Sequence, residues 1–286
     1  MTGDIRQQAI ALYDRFTHDG MERRDFMSRM VALAGSAAAA EVLIGAIAAS
    51  PAAAAIVPEN DKRLVVRNQT LVGGYKAYVA EPLTRSLKPT ILVVHENRGL
   101  NAHTRDVARR LALANFRAVA VDFLSPSGGT PSNEDAAREA IGKLDLSAAT
   151  AAGVAMLGEL AKSSRGGKVG AVGFCWGGAY VNRLAVAAGD ALDAGVVYYG
   201  PAPAPAEATK VQAPLTIHLA GLDDRVAQTA FPWISALRAA GKRVTYFDYE
   251  GVNHAFNNDT SAERYNKAAA DLAWERTLSF FRKTLG

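Results

Sequence analysis

The chain has 286 residues, 49% of them hydrophobic and 21% charged, a balance typical of a globular protein. The formal net charge is +4, but the basic residues are scattered and do not alternate with aromatic ones, so we expect no nucleic-acid partner. The single cysteine, Cys175, excludes an intramolecular disulfide and a metal site built from several cysteines.

Residues 1–55 differ in composition from the rest of the chain. The pair Arg23-Arg24 precedes a long run of small and apolar residues that ends in four alanines, which are the parts of an export signal. The segment resembles a bacterial twin-arginine signal, so we expect export to the periplasm. Glu41 interrupts the run and disfavours a permanent membrane span, since a carboxylate is costly in the bilayer. Residues 1–20 have an amphipathic helical pattern, and a retained helical extension of a cytoplasmic protein is the alternative.

Residues 56–286 are expected to form one domain in which strands and helices alternate. Residues 64–82 predict a hairpin that bends near Gly73-Gly74. The apolar run PTILVVHEN predicts a strand buried on both faces. A helix over 101–116, a strand over 117–124, a Gly/Ser/Pro-rich loop and two helices up to about Lys162 follow.

The remainder of the chain continues this alternation. The predicted elements are a strand over 168–174, a helix after Trp176, strands over 194–200 and 214–221, a helix over 231–241, a strand over 243–251 and a closing helix over 261–286. Alternating strands and helices predict an α/β fold with a mainly parallel central sheet and helices on both faces.

Four side chains able to do chemistry follow predicted strands. They are Glu96, Cys175, Asp223 and His254. Functional sites gather where parallel strands end, so these residues are expected at one edge of the sheet. Cys175 lies in the sequence GFCWG, which has the form of a nucleophile elbow. A glycine-flanked cysteine at a strand end also suits close packing, so the pentapeptide alone leaves both interpretations open.

The order of the other candidates favours catalysis. Nucleophile, acid and histidine follow one another along α/β-hydrolase chains, and Cys175, Asp223 and His254 have that order. His254 lies in a Gly/Asn-rich turn just after a strand. Asp224 competes for the role of the acid, and we expect it instead to cap the following turn. The other histidines are expected to be structural.

Several stretches resemble the dienelactone hydrolase family over about residues 65–285. They are ILVVHENRGLNAHTRDVARRLA, AVDFLSPSGG, KVGAVGFCWGG, GVVYYG, AGLDDRV and GVNHAF. The resemblance implies an α/β-hydrolase fold and a carboxymethylenebutenolidase-like activity on a small ester or lactone, with no metal or organic cofactor. It assigns Cys175 as nucleophile, Asp223 and His254 as its partners, and Glu96 as the group that helps form the thiolate. A helix-capping or ion-paired Glu96 is the alternative.

The hydrolase interpretation also predicts how the reaction is assisted. The backbone N–H groups of Trp176 and Asn97 are expected to hold the oxyanion. Family members grip a substrate carboxylate with arginines, but Asn258 stands at one of those positions. Arg138 is the candidate for the other, or else a solvated helix residue. Tyr199 is expected either to line the pocket or to pack within the sheet.

Two other functions remain alternatives to hydrolysis. The first is a non-catalytic exported binding protein that keeps the hydrolase fold, although its retention of all four candidate residues argues against this. The second is a thiol redox protein, which lacks support because no second cysteine could resolve an oxidised Cys175. The sequence sets neither the natural substrate nor the oligomeric state.

Overall fold

The computed structural model of the protein describes residues 3–48, 56–84 and 86–286. The small-residue zone in which export cleavage is expected, residues 49–55, lies outside the described residues. In the described part of the chain no single helix is long and apolar enough to cross a membrane.

Eight strands form one sheet in the order β1-β2-β4-β3-β5-β6-β7-β8. The strands are β1 Leu64–Thr70, β2 Lys76–Pro82, β3 Thr90–Val94, β4 Arg117–Val121, β5 Val169–Phe174, β6 Ala194–Tyr198, β7 Leu215–Ala220 and β8 Val244–Tyr249. β2 pairs antiparallel with β1 and β4, and the other strands pair in parallel. The mainly parallel sheet expected from the sequence is confirmed.

The described residues contain nine α-helices. They are α1 Gly3–His18, α2 Arg23–Ala34, α3 Ala37–Ile47, α4 Ala102–Leu113, α5 Glu134–Gly142, α6 Leu146–Ala161, α7 Trp176–Ala187, α8 Asp224–Ala239 and α9 Lys267–Leu285. Buried side chains of α6, α7 and α8 pack on one face of the sheet, and those of α4 and α9 pack on the other. Strands β3 to β7 are buried along their whole length because helices cover both faces.

Two helices begin at residues other than those predicted. α8 starts at Asp224, seven residues before the predicted start, and continues through Pro232. The side chain of Asp223 accepts a hydrogen bond from the N–H of Val226 (3.2 Å) and caps this helix. The cap expected from Asp224 is therefore made by Asp223, and Asp224 is exposed. α9 begins at Lys267 rather than at residue 261.

The N-terminal arm, residues 3–48, folds into three helices with a small apolar core of their own. The rings of Phe16 and Phe26 stack with centroids 4.2 Å apart in this core. The arm docks on the domain, where the hydroxyl of Ser261 donates to the carbonyl of Ile47 (2.6 Å). The N–H of Glu263 also donates to the carbonyl of Ala46 (3.3 Å), and α9 starts after this contact.

Candidate active site

Cys175 lies on the turn that joins β5 to α7, in a backbone conformation that side chains rarely adopt (φ +55°, ψ −114°). The turn is held where α7 touches the sheet backbone to backbone. A Cβ on Gly177 would lie 2.4 Å from the carbonyl oxygen of Val94, and one on Gly173 would lie 2.0 Å from the carbonyl oxygen of Gly177. Glycine at both positions therefore permits the nucleophile elbow that the sequence predicts.

His254 and Asp223 form a buried pair. Nδ1 of His254 lies 2.5 Å from Oδ2 of Asp223, and the other carboxylate oxygen caps α8. The cap fixes the carboxylate, and the carboxylate in turn fixes the imidazole ring. Nε2 of His254 has no hydrogen-bond partner among the described residues. A ring nitrogen of His254 and Sγ of Cys175 lie within 4.8 Å of each other.

Burial and charge act in opposite directions on this histidine. Burial lowers the pKa of His254, but the negative charges of Asp223 and of the Cys175 thiolate outweigh it and raise the pKa to about 10. Burial raises the pKa of Asp223, and the positive charge of His254 outweighs it, so the net shift is downward. A protonated His254 beside the Asp223 carboxylate is therefore the favoured state at neutral pH.

Glu96 follows β3 and lies on the wall of the same cavity as Cys175. Its Oε2 accepts a hydrogen bond from Nδ2 of Asn258 (2.8 Å), and its Oε1 is 3.5 Å from the hydroxyl of Tyr199. Arg98, two positions after Glu96, pairs with Glu134. Asn258, which stands where an arginine was expected, thus orients the carboxylate of Glu96. The sequence did not predict this role.

Tyr199 and Trp176 lie next to the reacting groups. The Tyr199 ring packs edge-on against His254 with centroids 5.0 Å apart, and the residue is fully buried at a positive φ. Tyr199 is not among the residues that line the cavity beside Cys175, and its full burial corresponds to the expected packing within the sheet. Trp176 is the first residue of α7, so its N–H has no acceptor within the helix and is available to an anion.

Asn97 and Arg138 are engaged by the N-terminal arm. Nδ2 of Asn97 donates to the carbonyl of Thr17 (3.1 Å). Nη1 of Arg138 donates to the carbonyl of Phe16 (2.7 Å), and its guanidinium lies over the Phe16 ring. Arg138 does not line the cavity beside Cys175, so the structure does not bring it together with the other predicted site residues.

The arm places His18 directly against the thiol. Nε2 and Nδ1 of His18 lie 3.7 Å and 3.8 Å from Sγ of Cys175, and the ring contacts the ring of His254 with centroids 4.8 Å apart. Burial and the nearby charge of His254 hold the pKa of His18 well below its ordinary value. The remaining cavity has a volume of about 10 Å³, room for about one water molecule. The expectation that His18 is merely structural is corrected by this contact.

Arg264 is a second residue that the sequence analysis missed. It is buried, lines the cavity of Cys175, and places Nη1 at 3.3 Å from Oδ1 of Asp14 in α1. It lies ten positions after His254, whereas the family resemblance implies an arginine at position 258. Its positive charge lies on the cavity wall and is paired with Asp14.

The other three histidines have structural contacts, as expected. Nε2 of His95 accepts the N–H of Phe123 (3.2 Å). Nδ1 of His103 lies 3.0 Å from Asp259, and His218 lies within hydrogen-bond distance of two hydroxyls in the core. Burial lowers the pKa of His218 to about 3, which keeps this ring neutral.

Comparison with known proteins agrees with the resemblance seen in the sequence. The family model described as "Dienelactone hydrolase family" matches residues 75–285. An Escherichia coli O157:H7 protein named "Putative carboxymethylenebutenolidase" is 31% identical over 256 residues, which cover 82% of this chain and 93% of that protein.

Solved structures share the fold. A Klebsiella pneumoniae structure titled as a "Putative Dienelactone Hydrolase" has a TM-score of 0.66 at 25% identity and covers 77% of this chain and 99% of its own. The dienelactone hydrolase structure from Anabaena variabilis has a TM-score of 0.61 at 19% identity, with 78% and 100% covered. The second likeness concerns the fold alone.

The glycine at the elbow can be tested by substitution. Gly177→Ala forces a methyl group against the carbonyl of Val94, and we expect it to lower the free energy of unfolding by about 1–3 kcal/mol. Gly158→Ala is the matched control, because a Cβ there meets nothing within 4 Å and alanine favours the helix. Urea unfolding of both variants measures the difference. Equal stabilities would contradict the close contact.

The His254–Asp223 pair predicts a characteristic pH dependence. NMR titration should show His254 protonated at neutral pH and losing its proton near pH 10, and Asp223→Asn should shift this titration downward. Because the folded pKa is raised, the pair contributes stability that is complete below the unfolded value of 6.5 and is lost as the pH rises through about 10. Since asparagine also caps helices, Asp223→Asn removes the charge of the carboxylate but can keep the cap of α8. A wild-type His254 that titrates near pH 6.5 would contradict the pairing.

Proposed function

The chain belongs to the dienelactone hydrolase family, and we propose that it hydrolyses small carboxylic esters or lactones through Cys175, His254 and Asp223, assisted by Glu96. The observation that carries the proposal is the convergence of a thiol on a strained elbow with a histidine held by a buried carboxylate. A nucleophile, a base and a group that orients the base are the parts that covalent acyl transfer requires.

The first step prepares the nucleophile. A free thiol is mostly protonated near neutral pH, so its proton must move to Nε2 of His254 before attack. Asp223 stabilises the imidazolium that results. Glu96 has the position at which the family resemblance implies help in forming the thiolate, and Asn258 holds its carboxylate in place.

The thiolate then attacks the ester carbonyl and forms a tetrahedral intermediate. The N–H of Trp176, at the N-terminus of α7, stabilises its oxyanion in this proposal, with the N–H of Asn97 as the second donor. His254 gives its proton to the leaving alkoxide, which leaves a thioester on Cys175. His254 next removes a proton from water, and the resulting attack releases the acid and restores the thiol.

The substrate class follows from the charges around the cavity. Asn258 binds Glu96 and offers no cation to a substrate carboxylate. Arg264 is the buried cation on the cavity wall, and it is engaged by Asp14 of the arm. We therefore assign a broader class of small esters and lactones. Because the cavity holds about one water, α1 must shift for such a substrate to enter.

Non-catalytic binding is the second candidate function. The docked arm favours it, since His18 touches the sulfur and fills the space in front of it. In that case the fold would serve to hold its own N-terminal helices or a ligand that replaces them, without turnover.

Substitution at Cys175 separates the two functions. We expect the purified protein to hydrolyse p-nitrophenyl acetate, and Cys175→Ala to lower kcat by about 10³-fold or more because the covalent route is lost. Iodoacetamide should abolish the wild-type activity. Asp223→Asn should also lower kcat, while its matched control Asp224→Asn, at an exposed neighbour, should not. Full activity in Cys175→Ala would contradict the mechanism, and an inactive wild type would favour binding.

The fate of the N-terminal segment is a separate proposal. The arginine pair and the apolar run support export to the periplasm, whereas the docking of α1 on the site supports a retained extension. N-terminal sequencing of the mature protein from bacterial periplasm and cytoplasm separates the two. A start near residue 55 in the periplasm would support cleavage on export, and an intact arm confined to the cytoplasm would contradict it.

A further inference from the structure

We propose that Cys175, His254 and His18 form a binding site for one Zn²⁺ ion, and that the bound ion fastens the N-terminal arm over the thiol. Two of the three ligands belong to the proposed triad, and the third comes from the end of α1. The binding site itself does not depend on the reaction. The expected consequence, that bound Zn²⁺ reversibly inhibits hydrolysis, rests on the proposed function.

The distances match those of a metal centre. Zn²⁺ binds thiolate sulfur at about 2.3 Å and imidazole nitrogen at about 2.0–2.1 Å, so tetrahedral ligands place sulfur and nitrogen about 3.6 Å apart. Nε2 of His18 lies 3.7 Å from Sγ of Cys175, and the ligand atoms of all three residues lie within 4.8 Å of one another. The ligand atoms that lie up to 4.8 Å apart must come about 1.2 Å closer when the ion binds.

His254 is already arranged as a metal ligand. Its Nδ1 is bound to the carboxylate of Asp223, while its Nε2 is buried and has no hydrogen-bond partner among the described residues. A histidine held on one nitrogen by a carboxylate, with the other directed at an ion, is the common outer arrangement of zinc sites. The partnerless nitrogen is the observation, independent of the cysteine, that points to a ligand.

The donor set determines which ion fits. One thiolate and two imidazoles are soft or borderline ligands, which suit Zn²⁺ and related transition metals and not Mg²⁺ or Ca²⁺. Three protein ligands leave a fourth position, and the cavity of about 10 Å³ beside them has room for about one water. When the Zn–N and Zn–S bonds form, the proton on Nε2 of His254 and any proton on the thiol are released to solvent, and no redox step is involved.

Neighbouring charges do not oppose the ion. The two arginines on the cavity wall are each paired with a carboxylate, Arg264 with Asp14 and Arg98 with Glu134. Glu96 and Asp223 add negative charge close to the three ligands. A third arginine, Arg225, lies 3.9 Å from Oδ2 of Asp223, so the positive charges near the ligands each have a carboxylate partner, although they still act on His18.

Cobalt binding to the full-length chain tests the site directly. Co²⁺ bound to a thiolate gives a charge-transfer absorption band, and Zn²⁺ competes for the same ligands. We expect wild-type protein to show this band at one Co²⁺ per chain and to lose it when Zn²⁺ is added. Cys175→Ser should abolish the band. His18→Phe, which keeps a ring but removes the nitrogens, should weaken Co²⁺ affinity by at least about tenfold.

Arg6→Ala is the matched control for His18→Phe. It removes the ion pair of α1 with Glu263, at the surface of the arm, and leaves all three ligands in place. Its Co²⁺ affinity should stay close to that of the wild type. A wild-type protein without the band, or a His18→Phe variant that binds Co²⁺ as tightly as Arg6→Ala, would overturn the proposal.

A second measurement uses wild-type protein alone. Zn²⁺ should slow the alkylation of Cys175 by iodoacetamide, followed by mass spectrometry, and a chelator should restore the rate. Alkylation unaffected by Zn²⁺ would overturn the proposal. Neither measurement needs turnover. If Cys175→Ala keeps esterase activity while the cobalt band is present, the proposed function fails and the metal site stands. If the band is absent while hydrolysis requires Cys175, only the metal site fails.

Discussion

The position of every reacting group depends on the contact of α7 with the ends of β3 and β5. Gly173 and Gly177 let backbone approach backbone there, closer than any side chain would permit. The strand therefore turns into the helix within one residue, and Cys175 takes the strained conformation at the corner. The sulfur is thereby held at the N-terminus of α7, and His254, held by Asp223, approaches it from the end of another strand.

Those features were predictable because local patterns determine them. Continuous apolar runs indicate strands covered on both faces, and glycine spacing around Cys175 indicates a sharp turn. The start of α8 was harder to predict. The apolar pattern begins near Phe231, whereas the helix begins at the cap that Asp223 provides. One aspartate both caps a helix and holds a histidine, and only the fold places the two partners together.

The contacts of the arm were beyond sequence reasoning. His18 and Cys175 are 157 positions apart, and no spacing rule relates a helix end to a distant elbow. The same is true of Arg264 with Asp14, an ion pair across 250 positions. Composition indicates an export signal in this region, while the structure adds a buried docking surface. The N-terminal arm covers the site as long as it stays attached to the domain. Its position therefore governs access to the thiol of Cys175.

Covalent catalysis by Cys175 is tested most directly by intact-protein mass spectrometry during turnover of p-nitrophenyl acetate. We predict a transient mass increase of one acetyl group, located by peptide mapping on Cys175 and longer-lived in His254→Ala, which cannot activate water for deacylation. Hydrolysis without any acetyl group on Cys175, or an acetyl group on a different residue during turnover, would contradict the mechanism.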